Sequence, residues 1–265
     1  MDTTLKRALT RWLVTHRPGR TPDTLRYHWQ TVKQIRRAWR DVLPKPVDQV
    51  NADDVARFAS RAGYFCASRW NGMLTVLYAT VPITRELLRR RTPKMTRPPP
   101  PTQQEFAKLL VECDGLARSR AGLVINFLAH SGLRITAARN VKWGDVYEER
   151  IEYIAKGGRL CSVPIINGMR DVLKELKELS DGSEFVLPRP AVRRGLAKAC
   201  DKAGLRRMNH HDFRHLFTTR CLESGVDVGT VARWRGDSDG GAMLLKRYFH
   251  LLDEHSRRMA LRVKI

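Results

Sequence analysis

Apolar residues recur at helical spacing along most of the first part of the chain. Leu5, Leu9, Trp12 and Leu13 share one face of a helix that Thr3 or Thr4 can cap. After Thr21-Pro22, a cap followed by a proline where the first helical N–H has no partner anyway, Leu25, Trp29, Val32, Ile35 and Trp39 repeat the pattern. Asn51-Ala52-Asp53-Asp54 opens a third helix and residues 67–78 form a fourth. Residues 1–92 therefore read as a small helical bundle.

The pattern breaks at Pro93-Lys94-Met95-Thr96-Arg97-Pro98-Pro99-Pro100-Pro101. Four consecutive prolines exclude a helix and favour an extended segment of roughly 3.1 Å per residue, so 93–101 reads as a linker. Thr102-Gln103-Gln104-Glu105 has the capping-box pattern and opens a second region, 102–265. Leu123 to Leu128 is apolar enough for a buried helix, and Trp143-Gly144-Asp145-Val146 reads as the start of a strand. Ile151-Glu152-Tyr153-Ile154, a turn at Lys156-Gly157-Gly158 and a return ending in Val163-Pro164-Ile165 predict a β-hairpin. Helices follow over 169–179 and 191–203, then another that Asn209 or Asp212 can cap and that carries Phe213, Leu216 and Phe217 until Gly225 stops it. The expected class is mainly α with a small β-sheet, in two domains.

Charge narrows the function. Forty-nine Lys and Arg against 27 Asp and Glu give a formal net charge of +22 and a pI near 10.6. That excess implies a polyanionic partner, with nucleic acid the leading candidate. Residues 1–92 hold 18 basic and 7 acidic residues and the other 173 hold 31 and 20, an excess of 11 in each. No apolar run approaches the roughly 18 residues of a spanning helix, and Lys6, Arg7 and Arg11 interrupt the N-terminal apolar stretch, so neither a membrane span nor a signal peptide is expected. The five cysteines are scattered without Cys-x-x-Cys pairs, and the histidines show no zinc spacing; reduced thiols and no metal are the expectation.

Candidate chemistry concentrates in His211-Asp212-Phe213-Arg214-His215. A His three residues before an Arg shares its helix face, so both could meet one phosphate, although the pair alone reads equally well as a surface His and an ion-paired Arg. Further along come Arg233-Trp234-Arg235-Gly236-Asp237-Ser238 and Tyr248-Phe249-His250, and upstream Gly132-Leu133-Arg134 precedes Trp143-Gly144-Asp145-Val146. Taken in order, these boxes resemble those of the tyrosine recombinase (phage integrase) family, strongly from Ala129 to His250 and in outline before Pro93.

The resemblance implies an N-terminal helical core-binding domain and an α+β catalytic domain that close on double-stranded DNA. It also implies a tetrameric synapse of identical chains, work in the cytoplasm at the nucleoid, and strand exchange with no cofactor. Thr21, Thr24 and Tyr27 stand where that family's N-terminal domain often has a Thr-rich helix start and an aromatic. Arg134 and Arg214 become the phosphate-binding arginines, Lys156 on the hairpin the acid for the leaving 5′-oxygen, with Arg159 as a substitute, His211 the base and Tyr248 the nucleophile. A tail helix over 253–265 would dock on a neighbouring copy.

Two positions depart from the family's pattern. Ala137 stands where an acidic residue is usual, and Asp237 replaces the second His or Trp. A recombinase that acts through a 3′-phosphotyrosyl bond and a DNA-binding protein with impaired catalysis therefore both remain open.

Overall fold

The computed structural model describes residues 3–92, 98–114, 120–187, 192–246, 248 and 260. The chain divides into two compact units, residues 1–97 and 98–265, each with its own apolar core. It is mainly α, with a two-stranded sheet.

The first unit holds α1 (Leu5–Thr15), α2 (Pro22–Ala38), α3 (Ala52–Ala62), α4 (Ala67–Thr80) and the short α5 (Thr84–Leu87). Its caps follow from the sequence. Thr4 Oγ1 accepts from Arg7 N, Thr21 Oγ1 from Thr24 N, and Asn51 and Asp54 form a reciprocal capping box. Leu5, Leu9, Val32, Ile35, Trp39, Phe58, Met73, Leu74 and Leu77 fill the interior, and Trp39 Nε1 donates to Asp54 O at 2.7 Å. One expectation fails. Trp29 lies outside the core, 57% exposed, because the buried stripe of α2 runs through Thr31, Val32, Ile35 and Ala38; Lys33 sits over its ring at 5.2 Å.

The second unit begins with the Thr102/Glu105 capping box ahead of α6 (Gln103–Asp114). Next come α7 (Ala121–Ser131), α8 (Ile135–Ala138), β1 (Arg150–Ile154), β2 (Leu160–Pro164), α9 (Met169–Glu178), α10 (Val192–Lys202), α11 (His210–Glu223) and α12 (Val228–Trp234). The helix α7 is apolar almost all round, and α6, α9, α10 and α11 pack against it. The strands pair antiparallel, with Ile151 opposite Val163 and Tyr153 opposite Cys161.

Trp143–Asp145, expected to begin a strand, is a 3-10 turn instead. Asp145 Oδ2 accepts from Lys142 N at 2.8 Å, which closes the chain into a turn, and only Val146 bridges to Ile151. A local side-chain acceptor has overridden β propensity.

One glycine decides how closely the site can assemble. Gly132 ends α7 at φ +62°, and a Cβ there would lie 2.2 Å from the Phe217 ring. Only glycine lets α11 approach the end of α7 this closely.

Candidate active site

Four elements bring the ionic centre together. The helix α11 starts in a capping box, with Asp212 Oδ2 accepting from Asn209 N at 2.7 Å and Asn209 Oδ1 accepting from His211 N at 2.9 Å. Phe213, Leu216 and Phe217 turn into the core, which fixes the rotation of the helix and aims Arg214 at the end of α7. Arg214 is buried. Its Nη1 donates to Gly132 O at 2.6 Å, both Nη groups donate to Arg235 O at 3.2 Å, and Nη2 donates to Asp237 Oδ1 at 2.7 Å. Held by two carbonyls and a carboxylate, the guanidinium has little freedom to change position.

Arg134 reaches the same oxygen. It stands at the N-cap of α8 with extended backbone, is one-third exposed, and donates from Nη2 to Asp237 Oδ1 at 2.7 Å. Arg235, the residue after α12, is buried; its Nη1 donates to Thr218 Oγ1 at 2.9 Å and its Nε lies 3.3 Å from Asp237 Oδ2. Asp237 is positioned by its own N–H, which donates to Ala232 O at 2.9 Å, and by Gly236 at φ +62°. A Cβ on Gly236 would meet Ala155 Cβ and the Tyr153 hydroxyl, both at 2.8 Å. Tyr153 in turn donates to Trp234 O at 2.7 Å, which ties the hairpin to the end of α12.

Three guanidiniums thus face one carboxylate, and the centre keeps a surplus of positive charge. Burial, together with the like charges of Arg235 and Arg134, presses the Arg214 pKa down to about 9, while Asp237 opposes the fall. Arg214 keeps its proton at neutral pH. A fourth cation, Arg159 on the hairpin, donates to Gly236 O at 3.1 Å and lines an open groove with Ser162, Arg233 and Asp237.

Of the residues expected from sequence, Arg134, Arg214 and Asp237 form this single cluster. Lys156 is exposed in the hairpin turn and makes no ion pair among the described residues, whereas Arg159 points back to the cluster. His211 is exposed in the first turn of α11. Tyr248 is helical and buried, and its hydroxyl hydrogen-bonds Nδ1 of His215, with ring centroids 6.0 Å apart. His215 follows Arg214 directly on α11, so the phenol is tied to the helix that supplies the buried arginine. Sequence reasoning assigned no role to His215 or Arg235; the first stands inside the His211-to-His215 string and the second is two residues before Asp237. Phe249, His250 and the expected tail helix, residue 260 apart, lie outside the described residues. No group of three or more metal-binding side chains occurs among the described residues, nor does any helix long and apolar enough to cross a membrane.

A fold of this class, with paired arginines and a hydrogen-bonded tyrosine in its second unit, defines the protein by class. Residues 102–255 match the phage integrase family, and the chain belongs to that family of tyrosine recombinases. Among relatives, it is 29% identical over 196 residues to the tyrosine recombinase XerA of Thermococcus kodakarensis, a match covering 68% of each protein. Among solved structures, a lambda integrase (75–356) dimer bound to a COC′ core site superposes with a TM-score of 0.73 at 18% identity, covering 89% of this chain and 96% of the integrase. A lambda integrase tetramer bound to a Holliday junction gives 0.73 at 18% identity, covering 90% and 76%.

Proposed function

We propose that this chain is a site-specific recombinase that cleaves and rejoins double-stranded DNA through a 3′-phosphotyrosyl intermediate on Tyr248. The observation that carries the reading is the convergence of Arg134 and Arg214 on one oxygen, each at 2.7 Å. That oxygen belongs to the Asp237 carboxylate, which stands in for a nonbridging oxygen of the scissile phosphate. Guanidiniums already oriented at an anion stabilise the charge that builds on a pentacoordinate phosphorus, and Arg214 needs no reorganisation to do so.

In the reaction the Tyr248 oxygen bonds to phosphorus as the bond to the 5′-oxygen breaks, and the phenolic proton leaves to a base. The 5′-oxygen takes a proton from Lys156, which rides the exposed hairpin turn. The phosphotyrosyl bond conserves the energy of the broken bond, so a second 5′-hydroxyl can reverse the step and join a different strand. The formal excess of 11 positive charges on each side of residue 92 supports DNA contact by both units, the first acting as the helical core-binding domain, 93–101 as the linker and 102–265 as the catalytic domain. The dimer and tetramer of lambda integrase on DNA support a tetrameric synapse of identical chains, formed on DNA.

The test is covalent trapping. A duplex nicked beside the scissile phosphate releases a short 5′-hydroxyl fragment on cleavage, so the adduct accumulates. Adduct mapped to Tyr248, and lost in Tyr248→Phe, is the expected result. No Tyr248-dependent adduct from either the wild type or Asp237→His would refute the assignment.

A further inference from the structure

The two oxygens of the Asp237 carboxylate have separate partners: Oδ1 accepts from Arg134 and Arg214, while Oδ2 lies 3.3 Å from Nε of Arg235. Resting on the function proposed above, we infer that Arg235 is a positioning residue of the cleavage reaction, which draws the Asp237 carboxylate to itself when the scissile phosphate replaces that carboxylate on Arg134 and Arg214. Three observations lead there.

The first is how Arg214 is committed. Its Nη1 donates to Gly132 O and Arg235 O, and its Nη2 to Arg235 O and Asp237 Oδ1, so every Nη hydrogen meets an acceptor. The carbonyls belong to the residue that ends α7 and the residue after α12, backbone that a ligand does not displace. Only the bond to Asp237 ends on a side chain. A phosphate oxygen that reaches these Nη groups therefore takes the place of Oδ1, where Arg134 Nη2 meets it as well.

The second is what the displaced carboxylate finds. The Asp237 side chain is only 10% exposed, so a carboxylate that gives up both arginines has little water to turn to, and a buried charge without a partner is strongly unfavourable. Arg235 already stands at Oδ2, and among the described residues it is the one ion-pair partner of that oxygen. With the Asp237 backbone held by its N–H on Ala232 O, a turn of the side chain alone carries the carboxylate toward Arg235 and off the phosphate.

The third is how firmly Arg235 is placed to receive it. Arg235 is buried, its Nη1 donates to Thr218 Oγ1 at 2.9 Å, and Thr218 Oγ1 donates to Arg214 O at 2.9 Å. One residue thus holds Arg214 through its carbonyl and faces Asp237 with its side chain.

The experiment is a double-mutant cycle on single-turnover adduct formation at saturating nicked duplex, with DNA affinity measured in parallel. Arg235→Met keeps a long side chain and the carbonyl that holds Arg214 but removes the charge, and Asp237→Asn removes the charge that Arg235 receives. With Asp237 present, Arg235→Met should slow adduct formation on the order of tenfold, because the carboxylate then competes with phosphate for both arginines. In Asp237→Asn the same substitution should change the rate by no more than about twofold, the scatter of independent sites. Affinity for the duplex, set by many phosphates, should stay at the level of each parent.

An ion pair that serves the fold alone would be felt in both backgrounds. Equal slowing in the two therefore overturns the proposal, as does no slowing in either, or a loss in Arg235→Met matched by weaker DNA binding. Arg235→Gln supplies the same comparison if circular dichroism shows Arg235→Met unfolded; loss of the fold in both makes Arg235 a folding residue and overturns the proposal too. A wild type without Tyr248 adduct beside an Asp237→His variant that forms one shows that the carboxylate is not drawn aside, and the recombinase reading then stands alone. Absence of the adduct from both proteins overturns that reading and this one together.

Discussion

Each unit contains an aspartate surrounded by cations, and the two are built for different ends. Asp54 in the first unit is buried, and its carboxylate accepts from Lys45 Nζ at 2.6 Å, from Asn51 N at 3.1 Å and from Arg57. All three donors lie within nine residues, and the group caps α3. Asp237 in the second unit is nearly as buried, but two of its ion-pair partners, Arg134 and Arg214, are 103 and 23 residues away. It caps no helix and is outnumbered by three guanidiniums, two of them buried. Local charges, two cations about one carboxylate, close a helix end. Distant charges, three guanidiniums about one carboxylate, join the start of α8, α11 and the end of α12.

The largest expected effect tests the first half of this contrast. Asp54→Ala strands a helix N–H and removes the counter-charge of Lys45 and Arg57. Breaking a buried ion pair costs about 3–5 kcal/mol, and with both cations partly exposed the lower end applies. Urea unfolding followed by tryptophan fluorescence reads this directly, since Trp12, Trp29, Trp39 and Trp70 all belong to the first unit. Adduct formation by the folded fraction should not accelerate. A midpoint unmoved by the substitution would mean that Asp54 holds nothing together.

Asp237 should respond in the opposite sense. A carboxylate about 4 Å from a phosphate oxygen repels it by roughly 4 kcal/mol at an effective dielectric constant near 20, worth on the order of a thousandfold in rate. Part of that is absorbed by the arginines that already bind the carboxylate, so Asp237→His should raise the rate of Tyr248 adduct formation on the order of a hundredfold. Quantifying adduct on the trapping duplex for both proteins decides it. Equal rates would make Asp237 a structural aspartate like Asp54, and a stability loss of similar size in both variants would remove the contrast altogether.

How much of this was legible in the sequence follows the same division between near and far. Caps, helix stripes and the hairpin are written in residues a few positions apart, so the Thr102/Glu105 box and the helix starts at Asn51 and at Asn209 or Asp212 could be read directly, and the structure makes reciprocal boxes of Asn51 with Asp54 and Asn209 with Asp212. The errors are local competitions that spacing cannot resolve: Trp29 lies just off the buried stripe of α2, and the Asp145 carboxylate converts an apparent strand start into a turn. Arg134, Arg214 and Asp237 stand out through the order of the boxes, but their shared oxygen does not. Neither does the bond between His215 and Tyr248, 33 positions apart, because it depends on the rotation of α11 that Phe213, Leu216 and Phe217 impose from within the core. Arg235 was hidden for a related reason: nothing in a surface-like Arg-Gly-Asp string announces that its arginine is buried.

The smallest expected effect is an acid-side difference between wild type and Asp54→Asn. Burial pushes the Asp54 pKa up, but Lys45, the Asn51 N–H and Arg57 together outweigh it, and the folded-state value lies below the ordinary 3.8. A carboxylate depressed on folding contributes stability that is fully present above its unfolded value and is lost as pH falls through the folded one. The window therefore opens near pH 4 and extends downward. A single group can contribute a slope of at most about 1.4 kcal/mol per pH unit there. Urea midpoints of the first-unit fluorescence transition, measured from pH 6 down to pH 3, should fall more steeply for wild type than for Asp54→Asn, and the two curves should draw together toward the acid end. The asparagine keeps an acceptor for the Asn51 N–H, so the difference isolates the charge from the cap. Parallel curves across that range would show that the helix cap alone accounts for Asp54, and the local-charge half of the comparison would then rest on geometry without energy.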